Sequence, residues 1–322
     1  MKAITYYDYG TPEVLKLEEI DKPAVGDDEV LIKVEATSIT PLDWHFLTGK
    51  PYIARIMAGF LKPRNNVLGT DLAGRVEEVG SNTVQFQPGD EIFGLSLING
   101  AFAEYLSVPE SQLRAVSKPA NLSFEEAAAV PYAGFTALVC LRDLGQIQPG
   151  QKVLINGASG GVGTLAVQTA KSYGVEVTGV CSTRNLDMVR SLGADRVIDY
   201  TQEDFTQAEG GYDLIFDAVR KRSFSECKSA LTPEGVYVTT AFSPSLVLQK
   251  QWASMTGSQQ CAPLPIMKPG KQLLLDLKEL LESGQVKPVI DRSYRMREVP
   301  KAIAYLGEGH ARGKVVVTVA GD

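Results

Sequence analysis

Short runs of alternating apolar and polar residues, broken by glycine and proline, fill the first part of the chain. DEVLIKVEATSIT alternates, DLAGRVEEVGSN alternates and stops at a turn, and PGDEIFGL repeats the pattern. A period of two puts one strand face in a core and the other in water, so these runs predict half-buried β-strands. A single short helix is expected around PLDWHFLTG. A twisted, barrel-like β domain accounts for this order.

The pattern changes at NLSFEEAAAVPYAGFTALVCLRDLG. Ser123 suits an N-cap, Glu126 stands at the capping-box position three residues on, and apolar residues follow at helical spacing. Past IQPGQ, apolar strands at KVLIN, VEVTGVC, DRVIDY, DLIFDAV and GVYVTT alternate with helical stretches such as GTLAVQTAKSYG and NLDMVRSLG. Strands apolar on both faces predict a parallel sheet covered by helices on both sides. From Lys287 the β character returns, in KPVIDRSYRM and GKVVVTV. The expected organisation is a β domain over residues 1–121 and an α/β domain over 122–286, with 287–322 rejoining the first.

Composition narrows the function classes. A chain of 322 residues exceeds what one core usually organises, and 44% hydrophobic with 22% charged residues is ordinary globular composition. A net charge of -6 argues against nucleic acid or an anionic membrane as the main partner. Met1 leads straight into a strand-like segment, and no apolar run approaches the roughly 18 residues of a membrane span. A cytoplasmic location is expected. Cys140, Cys181, Cys227 and Cys261 are far apart and form no Cys-x-x-Cys pair, so reduced, mostly buried thiols are expected rather than a zinc or redox site. His45 and His310 are the only histidines, too few for a histidine-rich metal site.

The stretch VLINGASGGVGTLAVQTAKSYG carries the chemistry. It reads as strand, glycine turn and helix. Against G-x-G-x-x-G the positions are Ala158, Gly160 and Gly163, with Gly157 and Gly161 adding freedom on either side. Gly160 and Gly161 let the backbone approach a pyrophosphate, Gly163 lets the helix press on the strand, and the helix N-terminus favours the anion. A ligand-free tight turn is the alternative. The next strand decides between them. It ends in VCSTRN, with Ser182, Thr183 and Arg184 where an NAD-selective site carries an acid, and these groups suit a phosphate. A solvated surface role is the alternative for Arg184. Tyr200 closes the third strand beside the same adenosine end. The cofactor expected is NADPH rather than NADH.

With these pieces in place, the whole chain resembles the zinc-independent medium-chain dehydrogenase/reductases. It looks closest to the quinone oxidoreductases and the related alkenal/enone reductases. The resemblance rests on NGASGGVGTLAVQTAK, STRNLDMVRSLGADRVIDY, VPYAGFTAL, GTDLAG and GKVVV. It implies an α/β fold in which a Rossmann doubly wound parallel sheet joins a GroES-like β-barrel domain built from both chain ends. It also implies a cleft carrying NADP(H) and a homodimer, often formed through the cofactor domains. By the resemblance, Gly160, Gly161, Val162 and Gly163 face the pyrophosphate. Ser182, Thr183, Arg184, Asn185 and Tyr200 surround the 2'-phosphate, and Thr136 and Thr239 flank the nicotinamide. Gly313 and Lys314 return to the cofactor or cleft, and Lys50 matches a cleft lysine of enone reductases.

Two departures matter. Zinc-dependent relatives carry ligands where this chain has Thr40, in TPLDWH, and Thr70, in GTD, so no metal site is expected. Many quinone oxidoreductases have Asn-Pro-x-Asp where Thr40-Pro41-Leu42-Asp43 stands, and losing that amide removes one hydrogen-bond partner for substrate or ribose.

Hydride transfer needs mainly an oriented cofactor and an electrophilic carbon. Adding hydride to the β-carbon of an enone places negative charge on the carbonyl oxygen, where Lys50, Tyr52 or a cofactor ribose hydroxyl could stabilise it. Water could supply the proton. A simple carbonyl is harder without zinc or a strong acid. The expected activity is reduction of the C=C bond of small apolar enones, or of quinones. The alternative is a non-catalytic NADPH-binding protein with a sensing or structural role. Specificity is expected from KPYIARIMAGFLKPRN and KQWASMTGSQQCAPLPIMKPG.

Overall fold

The structure is a computed structural model and describes residues 1–98, 100–207, 211–240, 260–264 and 270–319. Its contacts divide the chain into two compact units. One comprises Met1–Tyr132, Pro269–Glu282 and Ile290–Asp322, the other Ala133–Lys268 and Ser283–Val289.

In the first unit, β1 (Lys2–Thr5) and β2 (Lys16–Glu19) form an antiparallel pair. The larger sheet is organised on β3 (Glu29–Ile39). Helix α1 (Pro41–Thr48) follows at once, with Thr40 and Asp43 forming a reciprocal capping box and Gly49 ending it in the left-handed conformation. A five-residue helix α2 (Ala54–Ala58) comes next, inside a stretch expected to be loop. Then β4 (Asp71–Val79) pairs with β3 and with β5 (Glu91–Ser96). The N-terminal half of β3 also pairs with β6 (Tyr105–Pro109), and β5 pairs with β7 (Leu113–Ser117). Alternate residues of β6 are buried, as a strand with one wet face requires. Helix α3 (Phe124–Ala128) starts at the expected Ser123–Glu126 capping box, and α4 (Pro131–Leu138) begins in this unit and runs on into the second.

The second unit holds β8 (Lys152–Asn156), α5 (Gly161–Ser172), β9 (Glu176–Cys181), α6 (Leu186–Ser191), β10 (Arg196–Asp199), β11 (Tyr212–Asp217), α7 (Phe224–Cys227), β12 (Leu231–Thr239) and β13 (Gln260–Pro263). All strand pairs are parallel, in the order β10-β9-β8-β11-β12-β13. This is a doubly wound Rossmann sheet, and its order reverses between β8 and β11. Each expected strand is present. β13 was not foreseen, because QCAP has no strand pattern of its own and pairs through its backbone with β12. The four cysteines are buried and none forms a disulfide, and burial pushes the Cys181 thiol up to about 11 and Cys227 to about 12. Thiols raised in this way stay protonated and unreactive near neutral pH.

The returning chain forms α8 (Lys271–Glu282), β14 (Ile290–Arg295), α9 (Val299–Gly307) and β15 (Lys314–Thr318). β15 pairs antiparallel with β3, Val315 opposite Ile39, and β14 pairs parallel with β15. Helix α8 belongs with the first unit, although the sequence order suggests the second. It buries Leu273, Leu274, Leu277 and Leu281, Asn121 Nδ2 donates to the Leu281 carbonyl at 3.0 Å, and Lys278 Nζ donates to Ser117 Oγ at 2.6 Å. Residues 283–289 stay with the second unit, where the Gln168 amide bonds both the N–H and the carbonyl of Lys287. Among the described residues no helix is long and apolar enough to cross a membrane.

Candidate active site

The glycine turn links β8 to α5. Gly157 has φ +85°, so this residue, and not Ala158, takes the left-handed step of the turn. Ala158 is fully buried, and Gly179 on β9 makes room for it, since a Cβ there would lie 3.1 Å from the Ala158 Cβ. The three glycines serve different ends. A Cβ on Gly163 would lie 2.0 Å from the Gly157 carbonyl oxygen, so glycine there lets helix and turn touch. A Cβ on Gly160 would meet only the Gly157 oxygen, at 3.5 Å. Gly160 borders open space. It is also the N-cap of α5, and no side chain caps the helix. The first-turn N–H groups of Gly161, Val162 and Gly163 therefore have no acceptor within the helix, and they carry the positive end of its dipole. An uncapped twelve-residue helix opening on free space suits an anion.

Beyond β9, Ser182 stands at the N-cap position of a single helical turn over Thr183–Asn185, without a side-chain capping bond. Asn185 is buried, and its Nδ2 reaches Ser159 Oγ at 3.1 Å and Ser182 Oγ at 3.2 Å. It thus ties the glycine turn to the tip of β9. Its Oδ1 has no protein partner. Thr183 and Arg184 are exposed, and Tyr200 is 58% exposed with its N–H on the Cys181 carbonyl. An acid that the sequence pattern does not single out stands close by. Asp199 ends β10 opposite Cys181, and its Oδ2 accepts from Thr183 Oγ1 at 2.5 Å while Oδ1 accepts from Thr201 N and Oγ1. Those bonds, the one from Thr183 foremost, hold its carboxyl below the usual range. The tip of β9 carries no acid, and this one lies one strand over.

On the other side of the reversal, Asp217 ends β11 fully buried. Its Oδ1 accepts from Asn156 Nδ2 at 2.9 Å, Val219 N at 3.0 Å and Arg220 N at 3.1 Å, and the Tyr237 hydroxyl lies 3.0 Å from Oδ2. Thr239 stands beside Asp217 at the end of β12. Both Thr239 and Thr136 are buried.

The first unit has a polar cluster of opposite character. Asp71 Oδ2 accepts from Ser38 Oγ at 2.5 Å and Lys314 Nζ at 3.2 Å, and Oδ1 accepts from Tyr132 N at 2.8 Å. Asp43 Oδ2 accepts from Thr40 N and Oγ1, both at 2.7 Å, and Oδ1 from Gly69 N at 3.2 Å. Thr40, Asp43, Thr70, Asp71 and Lys314 are all buried. Burial raises the Asp71 carboxyl against the pull of Lys314, and pushes Asp43 up to about 6 against its bonds to Thr40. Lys314 thus ends on Asp71, in a buried ion pair. Gly313 before it turns the chain at φ +99°. Lys50 and Tyr52 lie past the other end of α1. Eight helical residues, about 12 Å, separate them along the chain from Thr40. Lys50 is exposed, its carbonyl bonds His45 Nδ1 at 2.8 Å, and the 72% exposed Tyr52 carries Arg55 5.2 Å from its ring centre.

This geometry has counterparts in known proteins. Residues 26–119 match the family described as alcohol dehydrogenase GroES-like domain, and residues 192–317 the family described as zinc-binding dehydrogenase. A chloroplastic quinone oxidoreductase of Triphysaria versicolor is 34% identical over 98% of each chain. The chain belongs to the medium-chain dehydrogenase/reductases. A chloroplastic NADPH-dependent alkenal/one oxidoreductase of Arabidopsis thaliana is 35% identical over 98% of this chain and 79% of its own. The solved quinone oxidoreductase of Coxiella burnetii superposes with a TM-score of 0.87 at 31% identity, covering 99% of both chains. Within the medium-chain family this protein is therefore an oxidoreductase of the quinone and alkenal/one reductase kind, working on small molecules with a nicotinamide cofactor.

The site residues fit that cofactor. The open face at Gly160, the uncapped α5 terminus and the orphaned Asn185 Oδ1 all await a polar ligand. They do not fit the zinc in the matched family's description. The Asp43 and Asp71 carboxylates are already engaged by donors, and Thr40 and Thr70 offer hydroxyls where catalytic zinc takes Cys, His or carboxylate.

Proposed function

We propose that this medium-chain oxidoreductase prefers NADPH and reduces, without a metal, the C=C bond of α,β-unsaturated ketones and aldehydes, or quinones. The observation that carries the metal-free reading is the buried cluster around Asp71, in which Lys314 already supplies the neutralising cation. The cofactor preference rests on Ser182 and Arg184 at the tip of β9, with the neighbouring Asp199 engaged by Thr183 and Thr201.

Gly160, Gly161, Val162 and Gly163 hold the pyrophosphate, and Ser182, Thr183, Arg184, Asn185 and Tyr200 hold the adenosine end. Asn185 keeps the two halves of the cradle in register, and Thr136 and Thr239 back the nicotinamide end. When bound, the cofactor supplies the hydride. Charge that develops on the substrate oxygen is met by a donor, for which Lys50 and Tyr52 are the candidates. Conjugated acceptors are favoured, because delocalisation lowers the basicity of the oxyanion. A homodimer, as the family resemblance implies, completes the proposal, and sedimentation velocity checks it.

Product analysis tests the reaction. An enone treated with NADPH and the enzyme, dialysed against chelator, should give the saturated ketone at an unchanged rate. An allylic alcohol as main product, or activity restored only by zinc, would overturn the reading.

A further inference from the structure

Arg220, just past β11, has φ +65°. A side chain makes this left-handed conformation costly, whereas glycine adopts it freely. The sequence nevertheless has arginine here, followed by Lys221 and Arg222. Asp217 imposes the turn from below, accepting from the N–H groups of both Val219 and Arg220. The same carboxylate takes the Asn156 amide at the end of β8, so one buried network fixes the two strand ends that flank the reversal of the sheet. Val219 also leans on the glycine turn, for a Cβ on Gly157 would lie 2.5 Å from its Cγ2. Arg220 therefore sits one residue from a side chain that touches the phosphate cradle. It is exposed, and among the described residues its guanidinium makes no ion pair, unlike Arg222, which pairs with Asp204 and Glu226.

We propose that Arg220 is a cofactor-binding residue whose guanidinium takes the nicotinamide-side phosphate of the dinucleotide pyrophosphate. The inference rests on reading the glycine turn as the cofactor cradle. Ligands of open α/β sheets bind outside the carboxyl ends of the strands where the order reverses, and Arg220 stands there. The cradle itself, GASGGVGT, offers N–H groups but no cation to a doubly charged pyrophosphate. Arg184 does not fill that need. It follows β9, two strands from β11, or about 10 Å away at the usual strand spacing. A strained non-glycine residue held in place by a buried network marks a position kept for function.

Calorimetric titration of the full chain with NADPH, NADH and adenosine 2',5'-bisphosphate tests this without relying on turnover. Arg220→Ala and Arg220→Gly should each weaken NADPH and NADH by the same factor, roughly tenfold for one charge-assisted contact. Arg220→Lys should recover most of the loss. Adenosine 2',5'-bisphosphate, which lacks the nicotinamide-side phosphate, should bind every variant as it binds wild type. Arg220→Gly should melt no lower than wild type without ligand, because glycine relieves the backbone. Unchanged NADPH and NADH affinity in the variants overturns the proposal, as does an equal loss for the bisphosphate, which would make Arg220 a support of the turn. Wild type that binds neither dinucleotide would instead overturn the cradle reading itself.

Discussion

The two polar regions of this protein are built on opposite principles. Around Asp71 and Asp43, in the first unit, charges are buried and every carboxylate oxygen named has a donor. Around Gly160, in the second, the turn GASGGVGT itself carries no charged side chain, the helix start is uncapped, and Asn185 Oδ1 is buried without a protein partner. A cluster whose carboxylates are engaged from within is held together by the fold itself. An unsaturated one carries an unmet cost until something binds, since a buried polar atom left unpaired costs about 1–3 kcal/mol. On the proposed reading, unmet hydrogen-bonding capacity, and not buried charge, marks the unit that takes the cofactor.

The largest effect should come from breaking the saturated cluster. Lys314→Met leaves Asp71 buried without its cation, and removing one partner of a buried pair costs about 3–5 kcal/mol. Urea unfolding should show that loss, and Lys314→Met combined with Asp71→Asn should recover a large part of it. A Lys314→Met protein as stable as wild type but weak for NADPH would invert the comparison, restoring Lys314 as a cofactor contact.

The glycines sharpen the comparison within the cradle. Gly163→Ala forces a Cβ to 2.0 Å from a backbone oxygen, and neither group can turn away, so roughly 1–3 kcal/mol of stability should go along with cofactor affinity. Gly160→Ala meets nothing closer than 3.5 Å and should melt like wild type, yet weaken dinucleotide binding by narrowing the approach to the pyrophosphate. Equal melting losses in the two variants would mean that the turn is purely structural.

What the sequence showed and what it hid divide along the same line. Strands β8 to β12, the glycine turn and the Ser123 and Glu126 cap were legible because each is a local pattern. Period, spacing and capping chemistry all act within a few residues. Asp71 and Lys314 lie 243 residues apart, and no local signal joins a GTD to a GKV. Asp199 was passed over because neighbours across a parallel sheet are distant in the chain. β13 lacks any alternation, and α8 has a leucine stripe that does not say which unit it covers. The left-handed Arg220 could not be read at all. Glycine announces such a conformation, and arginine conceals it.

The smallest effect discriminates most finely, between the two faces of the adenosine end. Arg184 and Ser182 follow β9, with Asp199 one strand away. A phosphate on the adenosine 2' position gains from Arg184 and is repelled by Asp199, a charge already drawn toward Thr183 and Thr201. A charge-assisted contact is worth roughly 1.5–3 kcal/mol when well sheltered. Arg184 is exposed, so solvent screening reduces that figure, and the low end, about a factor of ten, is expected. Arg184→Ala should therefore weaken NADPH about tenfold and leave NADH nearly unchanged, with added salt eroding the wild-type preference in the same direction. Asp199→Asn should act oppositely and more weakly, improving NADPH, provided Thr183 stays in place. Titration of both cofactors against both variants separates the readings. Parallel losses for NADPH and NADH in Arg184→Ala would show that arginine braces the strand tip, and the preference would then have to come from the hydroxyls of Ser182 and Thr183.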